Sequence, residues 1–164
     1  MTESAPKRSY AWLIAPFGIL LLLITVGAVS VLVANNDQVS DQDCVKLSSE
    51  QATEDVCITL EEVVNREDKA RGLSGRDYLP IDKGMLFDFG DSGEHCMWMP
   101  DMHFSIDMIW LDQSGEVVDI AEDVHPDTYP ETFCNETAPA RYVIEVNAGV
   151  AETAAMSPGQ QIQL

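Results

Sequence analysis

The stretch IDMIWLDQSGEVVDIAEDV, Ile106 to Val124, decides how the rest of the chain is read. Two apolar runs flank Asp112-Gln113-Ser114-Gly115, and a polar tetrad closing on glycine between such runs signals a β-hairpin. Outward from this hairpin, further apolar runs read as strands: GMLFDF from Gly84, HCMWM from His95 and YVIEV from Tyr142. Earlier still, VCITLEEVV (Val56 to Val64) alternates so that Val56, Ile58 and Leu60 share one strand face. Asn65 with Asp68 forms a cap signature for a short helix through Ala70 and Arg71, which Gly72 ends. Asn147 is placed to cap a last helix running to about Met156, and Ser157-Pro158-Gly159 turns the chain into a closing strand, Gln161 to Leu164.

The expected fold class is therefore mainly β (α+β): a compact, largely antiparallel β domain with two short helices over residues 56–164, preceded by one N-terminal transmembrane helix. Residues 35–55 are polar and acidic, as suits a linker, although Cys44-Val45-Lys46-Leu47 joins the fold if its cysteine is bridged. From Ala11 to Ala34 no charged residue interrupts an apolar run long enough to cross a bilayer. Lys7 and Arg8 precede it and Asp37, Asp41 and Asp43 follow. The positive-inside rule thus puts residues 1–10 in the cytoplasm and the C-terminal domain outside a cell membrane crossed once. A secretory signal cleaved near Leu32-Val33-Ala34 is the competing reading, and it exports the domain as well.

Cys44, Cys57, Cys96 and Cys134 make an even number on the exported side, where disulfides persist. The pairing favoured is Cys44 with Cys57 and Cys96 with Cys134; the other connectivities, and buried free thiols, stay open. No C-x-x-C occurs, which argues against a zinc site. The net charge of −19, from 28 acidic and 9 basic side chains, repels nucleic acid and anionic lipid headgroups, so nucleic-acid partners are excluded.

An ordered series of segments carries a resemblance: Lys69-Ala70-Arg71-Gly72-Leu73, Gly84-Met85-Leu86-Phe87, Trp98-Met99, Ile106-Asp107-Met108, and Ala140 through Gly149. The chain from about Val56 to Leu164 resembles the family of domains of unknown function 192 (DUF192). The resemblance implies a compact, mainly antiparallel β fold with short helices, commonly exported or membrane-anchored in prokaryotes, and no established activity. After Trp98-Met99 the family usually has a Lys-Asn-Thr-like stretch, where this chain has Pro100-Asp101-Met102-His103.

Four residues are candidate ligand contacts. Arg71 stands at a helix end, where a guanidinium clamps an anion or pairs with an acidic neighbour. Trp98 lines a pocket or packs in the core. Asp107 opens an apolar strand, where it is a general base or accepts backbone N–H groups. Glu145 shares a strand face with Val143 and has Arg71 and Arg141 as candidate partners. The segment His95 to His103 concentrates soft donors, and His95, Met97 and Met99 on one strand face would suit copper(I). Asn135-Glu136-Thr137 is a glycosylation sequon by pattern.

No resident cofactor is implied, and no G-x-S-x-G, H-E-x-x-H or P-loop pattern occurs. Three functions stay open: a non-catalytic binding or accessory module for an envelope ligand or protein, an envelope hydrolase using Asp107 and Glu145, and a copper(I) handler.

Overall fold

A computed structural model describes residues 44–49, 52 and 55–164 of the chain. The expected cytoplasmic segment 1–10, the membrane segment Ala11–Ala34 and the first part of the linker lie outside the described residues. Among the described residues no helix is long and apolar enough to cross a membrane.

Six strands form one sheet in the order β1-β2-β3-β8-β5-β6. They are β1 (Val45–Leu47), β2 (Val56–Val63), β3 (Lys83–Gly93), β5 (Ile106–Leu111), β6 (Val117–Val124) and β8 (Ala140–Asn147). A separate ribbon pairs β4 (Cys96–Trp98) with β7 (Thr132–Cys134). Among the described residues only the β2–β3 pair is parallel. A parallel pair needs a crossover rather than a tight turn, and helix α1 (Arg66–Arg71) lies in that crossover.

The hairpin that opened the sequence reading is present as β5 and β6. Its turn is built by Asp112, whose Oδ1 accepts from the Ser114 and Glu116 backbone N–H groups at 2.7 and 2.9 Å. All six residues of β5 are buried, because both sheet faces are covered. Period-two alternation sorts them: Ile106, Met108 and Trp110 enter one core cluster with Met85, Phe87 and Val143. Ile109 and Leu111 enter the other, with Leu86, Ile144 and Val146. Gly84 is required by packing, since a Cβ there would lie 2.9 Å from both the Glu145 carbonyl oxygen and Leu60 Cδ2.

With Cys44 bridged, residues 45–47 join the fold as a strand against β2, with Leu47 fully buried, which moves the start of the domain ahead of residue 56. Other expectations are corrected. Asn147 caps no helix; it ends β8, and its side-chain amide donates to the Leu79 and Pro80 carbonyls at 3.1 Å each. The last helix, α2, is shorter than expected (Val150–Thr153), and Gly149 stands at its N-cap. Gln161 to Leu164 form no strand beyond a bridge between Gln161 and Glu116, although Ile162 is buried. The HCMWM run is a strand only over Cys96–Trp98.

Both favoured disulfides are formed. Cys44–Cys57 ties β1 to β2, and Cys96–Cys134 joins residues directly opposite one another in the ribbon. The ribbon is held to the sheet from two sides: Trp110 Nε1 of β5 donates to the His95 carbonyl at 2.8 Å, and Asn135 Nδ2 donates to the carbonyl of Gly93 at the end of β3 at 3.0 Å.

Candidate functional site

Strand β8 lies between β3 and β5, and Glu145 is its charged residue facing the first core cluster. Its cross-strand neighbours are Met85 and Met108, neither of which offers a strong hydrogen bond. The Glu145 residue is 4% exposed and its side chain makes no hydrogen bond or ion pair among the described residues; no fully buried side-chain oxygen there lacks a partner, so its carboxyl reaches the solvent of the cleft. Burial pushes its carboxyl up to about 8, opposed only by the field of Arg76, so it is protonated at neutral pH.

That carboxyl lines a cleft. The remaining lining comes from α1 and the turn after it (Lys69 to Ser74), from Phe87 on β3, and from Met97, Trp98, Pro100 and Met102 on and after β4. Asn65 starts α1 by accepting the Asp68 N–H at 2.9 Å, and Gly72 stops it by donating to the Asp68 carbonyl at 2.8 Å. Gly72 has φ of 50°, and a Cβ there would reach 3.3 Å from Phe87 Cζ and 3.9 Å from Glu145 Oε2. Glycine thus allows the turn and keeps the floor of the cleft clear. The interior measures about 20 Å³, room for about one water molecule. Trp98 stands at the cleft 48% exposed, tilted against Tyr129 with ring centroids 5.9 Å apart.

Three of the four candidate contacts, Arg71, Trp98 and Glu145, therefore share one cleft. Asp107 does not join them. It is fully buried on the opposite face, where Oδ1 accepts from Asp123 N–H and Oδ2 from Ala151 N–H, both at 2.9 Å. The carboxylate satisfies an N–H in the first turn of α2 and holds a bulge whose residue, Asp123, has φ of 48°. The expected ion pairs of Glu145 are also absent. Arg71 pairs with Glu67 and Asp68 at 3.6 and 3.5 Å, and Arg141 grips Asp88 through two bonds of 3.1 Å.

The copper(I) set is not assembled. Met97 and Met99 pack in the core, whereas the His95 ring stacks on Phe89 at 3.9 Å and its Nε2–H donates to the Asp91 carbonyl at 3.1 Å. Glu94, Cys96 and Cys134 do lie together, but both sulfurs belong to the disulfide and cannot ligate as thiolates. Asn135 of the sequon is 4% exposed and its amide donates to the Gly93 and Ala138 carbonyls, so it accepts no glycan in the folded domain.

Sequence reasoning missed Lys69, Phe87 and Met102 as cleft residues. A signal was present for the first two, since they lie in segments that carry the family resemblance. Met102 had been grouped with the soft donors.

The profile of the DUF192 family, described as an uncharacterized ACR, matches residues 47–164. A crystal structure of a candidate transcription regulator from Sinorhizobium meliloti 1021 is similar at 29% identity and a TM-score of 0.66, covering 73% of this chain and 90% of that one. A protein of unknown function from Novosphingobium aromaticivorans DSM 12444 has the same fold, at 23% identity and a TM-score of 0.66, covering 74% of this chain and 84% of that one. No curated protein matches the chain. With the family profile spanning nearly all of the described β domain, the chain belongs to the DUF192 family.

Proposed function

We propose that the chain is a non-catalytic ligand-binding module of the cell envelope, and that the cleft over Glu145 is its binding site. The observation that carries this reading is the Glu145 carboxyl, which no protein side chain pairs and which opens onto the cleft, leaving its hydrogen-bonding capacity to an occupant of that cleft. Four segments that carry the family resemblance meet at this one place: Lys69 to Leu73, Phe87, Trp98 and Glu145. The apolar run Ala11–Ala34 and the two disulfides support an anchored position outside the cytoplasm.

A hydrolase would need a second acid or base beside Glu145. Asp107 lies on the other face with both carboxylate oxygens engaged, so the binding module is the reading favoured. The test is a small-molecule fragment screen read by NMR, following the Trp98 indole and Glu145 carboxyl resonances. Hits that shift both, and that Glu145→Ala abolishes, are the expected result. Hits that cluster elsewhere and survive Glu145→Ala and Trp98→Ala would overturn the assignment of the site.

A further inference from the structure

The ligand class follows from the surface beside the cleft more than from its interior, and the inference rests on the reading of the cleft as a binding site. Burial alternates along β4: Met97 points into the core, whereas Cys96 and Trp98 face outward. Trp98 and Tyr129 each stand about half in water, yet their rings pack on one another, tilted by 51°. A single exposed ring is ordinary on a protein surface. Two that touch form a platform, and one edge of this platform is the cleft, since Trp98 also lines the recess over Glu145. The platform has a polar setting. Thr132, directly across from Trp98, is exposed, as are Asp127 and Glu131 on either side of Tyr129 in the chain.

We propose that platform and cleft together bind an uncharged sugar of a glycan, with its ring laid on the Trp98 indole and one of its hydroxyl groups entering the recess to bond with Glu145. Each half of that ligand matches a separate observation. The C–H face of a sugar ring is apolar and its hydrogens are partly positive, which suits the electron-rich face of an exposed indole. The recess measures about 20 Å³, the room of one water molecule. A hydroxyl group is of that size, so it enters while the ring stays outside. A hydroxyl both donates and accepts, and it therefore bonds with the Glu145 carboxyl in either protonation state. Lys69, Arg71 and Ser74 of the same lining offer N–H and O–H groups to further hydroxyls.

Other ligands that stack on aromatic rings fit less well. The net charge of −19 repels a polyanionic glycan, a nucleic acid or an anionic lipid surface. An organic cation is drawn to ring faces, but here it would meet Lys69 and Arg71 at the lining. A proline-rich peptide also docks on aromatic side chains. Its prolines offer carbonyl acceptors alone, whereas the Glu145 carboxyl keeps an accepting oxygen whatever its charge. Small donors arranged around an apolar face answer both the recess and the platform, and a sugar carries them.

The test titrates the purified full chain, in a non-ionic detergent without a sugar headgroup, with maltotriose, tri-N-acetylchitotriose and hexaproline, following the Trp98 indole and Glu145 carboxyl resonances. At least one trisaccharide should shift both resonances. Trp98→Ala, at an exposed position that leaves the fold intact, should lower affinity about tenfold or more, with Trp98→Phe recovering part of it. Tyr129→Ala should lower it severalfold. Glu145→Gln, whose amide donates and accepts, should stay within about threefold of the wild type, whereas Glu145→Ala should weaken binding about tenfold. Sugar binding that survives Trp98→Ala would overturn the platform. Trisaccharides that leave both resonances unmoved, while small-molecule fragments shift them, would overturn the sugar class and keep the cleft as a site, and so would hexaproline binding in their place. Resonances that neither sugars nor fragments move in a folded protein would overturn class and site together.

Discussion

Asp107 and Glu145 stand on adjacent strands yet turn their carboxyl groups to opposite faces of one sheet, because Asp107 lies across from Val146 and Glu145 across from Met108. One step of strand register thus separates a carboxyl that braces the backbone from one that faces a cleft. The two should respond to mutation in opposite ways.

Glu145 should oppose folding at neutral pH. Its folded-state value, about 8, lies above its ordinary 4.5, so the unfolded chain releases the proton first. Its stability contribution is full below 4.5 and is lost as pH rises from there through about 8. Glu145→Gln should therefore stabilise the domain near neutral pH, on the order of 1 kcal/mol or more, and flatten stability against pH over that window. Denaturant titrations at a series of pH values would show this; an unchanged slope in the variant would contradict it.

Asp107→Ala should destabilise by about 2–3 kcal/mol, since it orphans the buried N–H of Ala151 and removes the acceptor for the part-buried N–H of Asp123. Ligand binding at the cleft, measured below the new melting temperature, should be unchanged. A selective loss of binding in a stable variant would point instead to a direct role.

The two disulfides should differ in weight. Cys96–Cys134 spans 38 residues of chain and Cys44–Cys57 spans 13. Loop-closure entropy gives about 4 and about 3 kcal/mol respectively, so the Cys96→Ser/Cys134→Ser pair should unfold at the lower temperature. Because the longer bridge holds β4, that variant should also broaden the Trp98 signal, whereas the Cys44→Ser/Cys57→Ser pair should leave it sharp.

Asn135→Ala should cost roughly 2–3 kcal/mol, because the side chain accepts from His95 and donates to Gly93 and Ala138. Expressed in a glycosylating host, the folded wild type should show no glycan mass at this position by mass spectrometry. Occupancy in the folded fraction would contradict the buried placement.

The local elements were legible where local physics governs them. Asn65 and Gly72 bound α1 as read, because a cap and a left-handed stop act within a few residues. Asp112 to Gly115 form the turn for the same reason. Asn147 misled because its hydrogen bonds go to Leu79 and Pro80, far back in sequence, where no periodicity points. The parallel pairing of β2 with β3 was equally invisible, since alternation reports faces and not partners. Of the site, Arg71, Trp98 and Glu145 were readable one by one. That they meet, and that Asp107 does not meet them, depends on sheet order.

The cleft is assembled from parts of unequal rigidity. Its floor residue belongs to a strand bonded on both sides within the sheet, while Met97 and Trp98 ride on a ribbon of three-residue strands. Substitutions in the ribbon can reshape the entrance without disturbing the sheet, and changes at Glu145 cannot be made without touching the centre of the domain. Selection at the entrance therefore has a free hand, whereas the carboxyl at the floor is locked into the architecture.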